Sequence, residues 1–363
     1  MKTQKTSTDT ATATAFVPTH TLGIDLGDKR HFVCVMDHAS GKILEERSFP
    51  NTREQLMKLA AAYPQARVAI EVGTHSPWIS RVLEDAGLEV IVANARKLRA
   101  IYRNDRKSDE LDARMLAKLA RADITLLHPL KHGDEQAQRD LLRIKLRDNL
   151  VRQRVNIISA VRFTLKSLGI RLQSPSTACF AKRARTVLKQ TEPEMLAMIE
   201  PSLEVIDTVT LQIRQLDRDI ETLCRERYPQ CARLRAIRGV GPITALSFVL
   251  TIGDPARFEN ARDVGAYLGM VPKRDQSGGT DKTLPISKSG NSHLRRLLVS
   301  CAQYILGPFG EECDLRQRGL GLIERGGRGA KKKAVVATAR KLSVLMLTLW
   351  RHDAKYEPQR AAA

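Results

Sequence analysis

Aromatic residues are scarce in this sequence, making up 4% of its 363 positions. Its six cysteines form no C-x-x-C pair and no spacing typical of zinc ligands, so they predict reduced thiols rather than a structural metal site. No apolar run reaches the length of a membrane-spanning helix. Residues 1–20 lack the apolar core of a secretion signal. We therefore expect a cytoplasmic protein with no membrane partner and a disordered tail over residues 1–20.

Positive charge is the feature that the sequence has in excess. Lys and Arg number 60 against 40 Asp and Glu, which gives a formal net charge of +20. From Asn94 to Gln190 there are 23 basic and nine acidic residues, so this stretch alone carries +14. A modest excess often serves only solubility. An excess this large and this localised favours a polyanionic partner, because binding releases the counterions of a nucleic acid.

The first third of the chain predicts a mixed α/β domain. Leu22 to Asp37 alternates between apolar and polar residues, and a turn at Gly41 leads into a further strand, which together suggest a three-strand meander. Helical and strand patterns then follow in turn, over Arg53–Tyr63, Val68–Val72, Trp78–Ala86, Leu88–Ala93 and Asp109–Arg121. This order is typical of an RNase H-like domain. A doubly wound domain is the alternative, but its glycine-rich phosphate fingerprint is absent after Asp25.

Four carboxylates of this region suggest a metal site. Asp25 and Glu71 lie in apolar strands, where a buried carboxylate is costly unless it binds a cation. Asp109 and Asp112 are three residues apart and therefore share one face of a helix. Oxygen ligands of this kind suit Mg²⁺, and a pair of such ions stabilises both oxygens of an in-line phosphoryl displacement. Asp109 has a second interpretation, as a first-turn acid behind the cap Ser108, but that role does not explain the strand acids.

From about Asp134 onward the pattern predicts helices and no further strand. Leu146, Leu150, Ile157, Val161 and Leu165 are predicted to share one face of a long basic helix. A second long helix begins near Pro193 with two heptad positions, occupied by Ile206, Ile213, Ile220 and by Val209, Leu216, Leu223. We expect a coiled coil that oligomerises or grips nucleic acid, and the alternative is an antiparallel hairpin that packs within one chain.

Two glycine-containing segments in the last third carry candidate functional residues. The segment Arg238-Gly239-Val-Gly241 resembles the turn of a helix-hairpin-helix, whose backbone N–H groups hold a DNA phosphate. Such turns also serve tight packing. Ser277 precedes Gly278-Gly279, with basic residues on both sides at Lys273, Arg274 and Lys282. A serine in this setting is a candidate nucleophile for a phosphate, although Ser-Gly-Gly more often forms a simple flexible loop.

These motifs together resemble the DEDD insertion-sequence transposases, a family that includes the Piv-type DNA invertases. The resemblance rests on Asp25, Glu71, the segment Lys107-Ser-Asp-Glu-Leu-Asp-Ala, the segment Gly269-Met-Val-Pro-Lys-Arg-Asp-Gln-Ser-Gly-Gly and the segment Ile286-Ser-Lys-Ser-Gly-Asn. It runs from about Leu22 to Trp350. Relatives often have two serines before the glycine pair, but the first is replaced here by Gln276, which leaves Ser277 as the candidate.

The resemblance implies a catalytic apparatus and a set of partners. Asp25, Glu71, Asp109 and Asp112 would be the metal ligands for Mg²⁺, and Ser277 the nucleophile that forms a transient phosphoserine link to DNA. The implied partners are donor and target DNA, a structured guide RNA encoded by the element, and further copies of the chain in a tetramer. The implied location is the bacterial cytoplasm, in association with the nucleoid.

The resemblance also implies an order of domains. These are an RNase H-like domain over residues 21–130, a helical coiled-coil region over 131–232 and a mostly helical transposase domain with the serine over 233–355. A junction-resolving nuclease with the same N-terminal fold is the alternative function, and it would leave hydrolysed rather than rejoined ends. A third interpretation, an architectural nucleic-acid-binding protein, would use the carboxylates only as structural caps.

Overall fold

The computed structural model describes residues 16–95, 97–98, 108–173, 176–277 and 280–359. Most of the predicted disordered tail, residues 1–15, lies outside this set. The chain divides into two compact units, Met1–His132 and Gly133–Ala363.

A five-stranded mixed sheet forms the centre of the first unit. Its strands are β1 (His20–Asp25), β2 (Arg30–Asp37), β3 (Ile43–Pro50), β4 (Arg67–Glu71) and β5 (Glu89–Ala93). Their order is β3-β2-β1-β4-β5, with β1, β2 and β3 antiparallel and β1, β4 and β5 parallel. The predicted meander and the mixed α/β character are confirmed, and this sheet is compatible with an RNase H-like domain.

Helices cover both faces of this sheet. The helices α1 (Arg53–Ala62) and α2 (Ser76–Asp85) bury their apolar side chains against Leu22 and Ile24 of β1. The opposite face is covered by α3 (Asp109–Ala122), which places Ala113 and Ala117 against Cys34 and Met36 of β2. Because successive strand residues point to opposite faces, β1 contributes to both cores.

The second unit is mostly helical. Its helices are α4 (Glu135–Ser167), α5 (Phe180–Thr191), α6 (Pro193–Glu226), α7 (Gln230–Arg235), α8 (Pro242–Ile252), α9 (Asp263–Tyr267), α10 (Ser292–Leu306), α11 (Asp314–Glu324) and α12 (Ala330–Arg351). The expectation of no strand after Asp134 is wrong, because β6 (Pro272–Ser277) and β7 (Thr280–Ile286) form an antiparallel hairpin. Proline, glycine and charge dominate this segment and hide the period of a strand.

The long helices α4 and α6 pack against each other within the chain. Ile206, Ile213 and Ile220 are buried in α6, so the first predicted heptad position does face a partner helix. On α4 the predicted face is wrong at Leu146, which is 50% exposed, because the buried row passes through Ile144 instead. Among the described residues, no helix combines the length and the apolar character that crossing a bilayer requires.

Candidate active site

Asp25 and Glu71 end two neighbouring strands. Each is the last residue of its strand, β1 or β4, and the two strands run parallel with Ile24 paired to Ile70. One position further along the same register brings Asp25 beside Glu71. The two carboxylates therefore leave the sheet at the same edge, formed by the carboxyl ends of β1 and β4.

Both acids also point to the face of the sheet that α3 covers. Gly23 contacts α3, so Asp25, two residues later, belongs to the same face. Ala69 packs in one cluster with Leu116 of α3, and Glu71 follows it at the same two-residue spacing. Both acidic residues are partly buried.

Gly23 allows α3 to lie directly on β1. A Cβ at this position would stand 2.0 Å from the carbonyl oxygen of Ala113 and 2.5 Å from the backbone nitrogen of Ala117. No side chain other than hydrogen fits between strand and helix here. Sequence reasoning missed this residue, although a glycine inside an apolar strand was the available signal.

The direction of α3 brings its first turn toward the acidic edge. Near the other end of the helix, Arg121 donates hydrogen bonds to the carbonyls of His38 at 2.8 Å and Ala39 at 2.8 Å, beside the amino end of β1. The helix therefore runs antiparallel to β1. Asp109 and Asp112 then lie toward the carboxyl end of β1, where Asp25 and Glu71 leave the sheet.

Local contacts fix the start and the position of α3. Ser108 caps the helix and accepts a hydrogen bond from Leu111 N at 3.2 Å, as the alternative interpretation of this segment expects. Arg114 makes a bidentate ion pair with Glu46 of β3, with N–O distances of 2.9 and 2.7 Å. The hydrogen bond from Arg114 lowers the pKa of the Glu46 carboxyl, although burial opposes this. Glu46 therefore remains charged and ties α3 to the sheet.

The four carboxylates fit the donor chemistry of a hard divalent cation, since carboxylate oxygens are the ligands that Mg²⁺ takes in proteins. In the present side-chain arrangement, however, no three His, Cys, Asp or Glu side chains of the described residues are grouped to hold an ion. Asp25, Glu71 and Asp112 each have an interaction partner. The backbone gathers the acids at one edge, and their side chains would have to turn toward one another to share a cation.

Ser277 lies in the second unit, at the end of β6. It pairs with Thr280 across the hairpin, and the glycine pair of the turn, residues 278 and 279, lies outside the described residues. Both strands are exposed over residues 272–276, 281–282 and 284–285. The serine that sequence reasoning singled out thus belongs to the tip of an exposed hairpin.

The basic residues around the serine differ in their pairing. Arg274 donates to the carboxylate of Asp281 across the hairpin, with Nε 2.9 Å from Oδ1. Lys273 and Lys282 are exposed on the two strands. The positive charge of Arg274 is therefore compensated within the hairpin by the carboxylate of Asp281.

The predicted helix-hairpin-helix turn joins α7 to α8. Gly239 has a φ of 92°, a conformation that favours glycine, and Gly241 precedes Pro242 at the start of α8. A Cβ on Gly239 would also lie 2.8 Å from the Tyr304 ring. Arg238 pairs with Glu311 at 2.7 Å. Packing accounts for Gly239, whereas nothing lies within 4 Å of a Cβ added at Gly241.

Comparison with known proteins matches both units to transposases. Residues 22–170 match the family model for DEDD transposases of the IS110 type, described as "Transposase". Residues 231–311 match a second model, described as "Transposase IS116/IS110/IS902 family". The matched residues include all four candidate acids and Ser277.

Curated relatives extend this similarity over most of the chain. A transposase for insertion sequence element IS1328 from Yersinia enterocolitica is 31% identical over 287 residues, which are 78% of this chain and 82% of the relative. A probable family 20 transposase from Pseudomonas aeruginosa is 28% identical, covering 84% of this chain and 90% of the relative. A transposase for IS1111A from Coxiella burnetii is 26% identical, covering 92% of this chain and 90% of the relative.

Proposed function

Because this chain belongs to the IS110-type DEDD transposases and is a DNA transposase, we propose that it cuts and rejoins DNA through Ser277 and the four acids. The observation that carries the proposal is that Asp25 and Glu71 share one edge and one face of the sheet. The first turn of α3, with Asp109 and Asp112, lies toward the same edge. This arrangement suits phosphoryl transfer, where charge develops on the oxygens around phosphorus.

The acids would hold divalent cations. A bound Mg²⁺ would supply charge neutralisation at the attacking and leaving oxygens. Asp25 and Glu71 would provide ligands from the fixed sheet, and Asp109 and Asp112 would provide them from α3. The Glu46–Arg114 pair would keep the helix at the distance that shared ligation requires.

Ser277 would act as the nucleophile. Its Oγ forms an ester bond to phosphorus while one phosphorus–oxygen bond of the DNA strand breaks. The serine loses a proton and the departing strand oxygen gains one, so the step is balanced. Attack of a strand hydroxyl on the phosphoserine then rejoins DNA and frees the serine, without an external energy source.

The test is to trap the covalent adduct on labelled DNA that carries the element ends, in the presence of Mg²⁺. Wild type should form a protein–DNA adduct, and Ser277→Ala should form none while still binding DNA. Gln276→Ala, the neighbouring control, should keep the adduct. A Ser277→Ala protein that recombines normally would remove the serine mechanism.

The acids are tested in the same assay. Asp25→Asn should lower strand cleavage by at least about 10³-fold, because several kcal/mol of transition-state stabilisation are lost. Glu84→Gln, which changes an exposed acid of α2, is the control. Sequencing the product junctions separates a transposase, which rejoins strands, from a resolving nuclease, which leaves hydrolysed ends.

We also propose that the protein works with a guide RNA and that several copies of the chain assemble. Substitutions in α6 test the assembly. Ile213 of α6 is buried, so Ile213→Asp should cost about 3–5 kcal/mol of stability through an unpaired buried charge. Leu211 is 58% exposed on the same helix. Leu211→Asp should leave stability unchanged, and a fall in mass by light scattering would indicate that this face binds another copy. An unchanged mass would favour a hairpin that serves one chain only.

A further inference from the structure

The contact between α4 and α6 contains a regular row of polar side chains. Along α4 these are Asp140, Arg147 and Arg154, spaced seven residues apart. Asp140 is fully buried and accepts hydrogen bonds from Arg227 Nη1 at 2.9 Å and from the Tyr228 hydroxyl at 2.8 Å. Arg147 donates to Asp217 of α6 at 2.8 Å. At both of these positions each charge has a partner of opposite sign.

The third position lacks its carboxylate. Arg154 contacts Thr210 of α6, which lies seven residues before Asp217. If the Arg147–Asp217 pair were repeated one step along the two helices, an acid would stand in place of Thr210. Its Nη1 donates to Thr210 Oγ1 at 3.2 Å and its Nη2 to Thr177 Oγ1 at 3.1 Å. Arg154 is 8% exposed, and its Nε is buried without a hydrogen-bond acceptor. No carboxylate of the described residues forms an ion pair with it.

The buried guanidinium of Arg154 has no carboxylate partner among the described residues to compensate its positive charge. Burial lowers the pKa of Arg154, the nearby charges of Arg147 and Arg214 lower it further, and Asp217 opposes them. Arginine nevertheless stays protonated in proteins. Two neutral hydroxyls and an unused Nε–H do not compensate a buried positive charge. The surroundings of Arg154 therefore favour an anion.

We propose that Arg154, together with the hydroxyls of Thr177 and Thr210, binds a phosphate group of a nucleic-acid backbone. The planar fork of arginine suits phosphate oxygens, and each hydroxyl can donate onward to the same group. Thr177 is only partly buried and is followed by exposed Ala178 and Cys179, so the anion would approach from this side. The assignment to nucleic acid rests on the proposed function, whereas inorganic phosphate shares the same chemistry.

The first arm of the test uses inorganic phosphate and the full-length chain. Phosphate, compared with chloride at equal ionic strength, should raise the melting temperature of wild type by about 2–4 °C. Arg154→Met should abolish the rise. Arg143→Met, which removes an exposed charge from the same helix, should keep it. An equal phosphate response in wild type and Arg154→Met, or none in wild type, would overturn the site.

A second variant keeps the test valid if Arg154→Met fails to fold. Thr210→Asp supplies the missing carboxylate and should raise the melting temperature in chloride while removing the response to phosphate. Thr210→Ser retains a hydroxyl and should behave like wild type. A Thr210→Asp protein that still responds to phosphate would contradict the proposal.

The second arm identifies the source of the phosphate. The slope of log binding constant against log salt concentration, measured with DNA and with RNA, should fall by about one in Thr210→Asp and not in Thr210→Ser. A phosphate response without this change in slope would overturn the assignment to nucleic acid. The adduct assay tests the proposed function separately. If wild type binds phosphate through Arg154 but forms no serine adduct, the proposed function is refuted and the phosphate site is not.

Discussion

The acidic edge of the first unit and the serine hairpin of the second are built in opposite ways. Asp25 and Glu71 end strands in which the residues just before them, Ile24 and Ile70, are completely buried. The β6–β7 hairpin, whose first strand ends at Ser277, is exposed over residues 272–276, 281–282 and 284–285. The buried sheet core thus fixes the backbone of the two acids. The serine segment is held by the pairing of β6 with β7 and by the short connections that join this hairpin to the neighbouring helices.

This difference assigns different tasks to the two regions. The proposed metal site would need ligands held in a constant geometry, which the buried parallel strands β1 and β4 provide. A two-stranded hairpin is marginally stable by itself in water. We infer that the hairpin acquires its working geometry when nucleic acid or another copy binds, whereas the backbone positions of the strand acids are set beforehand.

Amide hydrogen exchange should give the largest contrast between the two regions. Amides of β1 and β4 should open only with global unfolding, and those of β6 and β7 should open locally, so protection should differ by at least about 10³-fold. Addition of element-end DNA should raise protection in the hairpin and leave β1 unchanged. Equal protection in both regions without DNA would remove the contrast.

Gly23→Ala should break the acidic edge while leaving the hairpin intact. The new Cβ would stand 2.0 Å from a backbone oxygen of α3, so strand and helix must separate, at a cost of about 3 kcal/mol. Cleavage should fall with stability because Asp109 and Asp112 move away from Asp25. Urea denaturation and the cleavage assay measure the two effects.

The matched control for this substitution is Gly321→Ala in α11. Nothing lies within 4 Å of the added Cβ there, so stability should be unchanged or slightly higher. Normal cleavage and normal stability in Gly23→Ala would show that α3 does not need this close contact.

The sequence allowed most of the first unit to be predicted, for a physical reason. Its strands are short apolar runs with acids at their ends, as in Val68-Ala-Ile-Glu71, so periodicity and chemistry point to the same elements. The helix at Asp109 carries a serine cap and three acids in its first turn, which mark its start. The contact at Gly23 was not predicted, because it depends on how strand and helix are stacked.

Glu46→Gln should weaken the attachment of α3 by a smaller amount. Arg114 lowers the folded-state pKa of Glu46 below its unfolded value, so this stabilisation exists above the unfolded pKa and is lost as pH falls through the folded one. Wild type should exceed the variant by about 1 kcal/mol at pH 7, and the gap should be narrower at about pH 3, below the ordinary pKa of a glutamate. Urea denaturation at both pH values measures it.

The control for this pH dependence is Glu54→Gln, which removes an exposed acid paired with Lys58. It should leave the urea midpoint unchanged at both pH values, because exposed pairs contribute little. A gap between wild type and Glu46→Gln that stays constant with pH would show that charge on Glu46 does not hold α3.

The second unit was harder to predict, because polar residues interrupt the apolar patterns of α4 and of the β6–β7 hairpin. Leu146 fits an apolar helical face by spacing, yet α4 turns Asp140 and Arg154 inward, where α6 and the residues just after it supply partners. Which residues of α4 face inward is determined only by its packing against α6, a helix that is distant from it in the sequence. The β6–β7 hairpin escaped prediction because charged side chains occupy both of its strands and both are exposed.

Arg274→Ala should have the smallest effect on stability. Its guanidinium pairs with Asp281 on an exposed hairpin, so loss of the pair should not move the urea midpoint. The pair holds Arg274 against Asp281, and binding of a phosphate by Arg274 must compete with that carboxylate. Asp281→Asn should therefore tighten DNA binding, while Arg274→Ala should loosen it and lower the salt slope by about one. A drop in the urea midpoint with unchanged binding would instead make this pair a structural element of the hairpin.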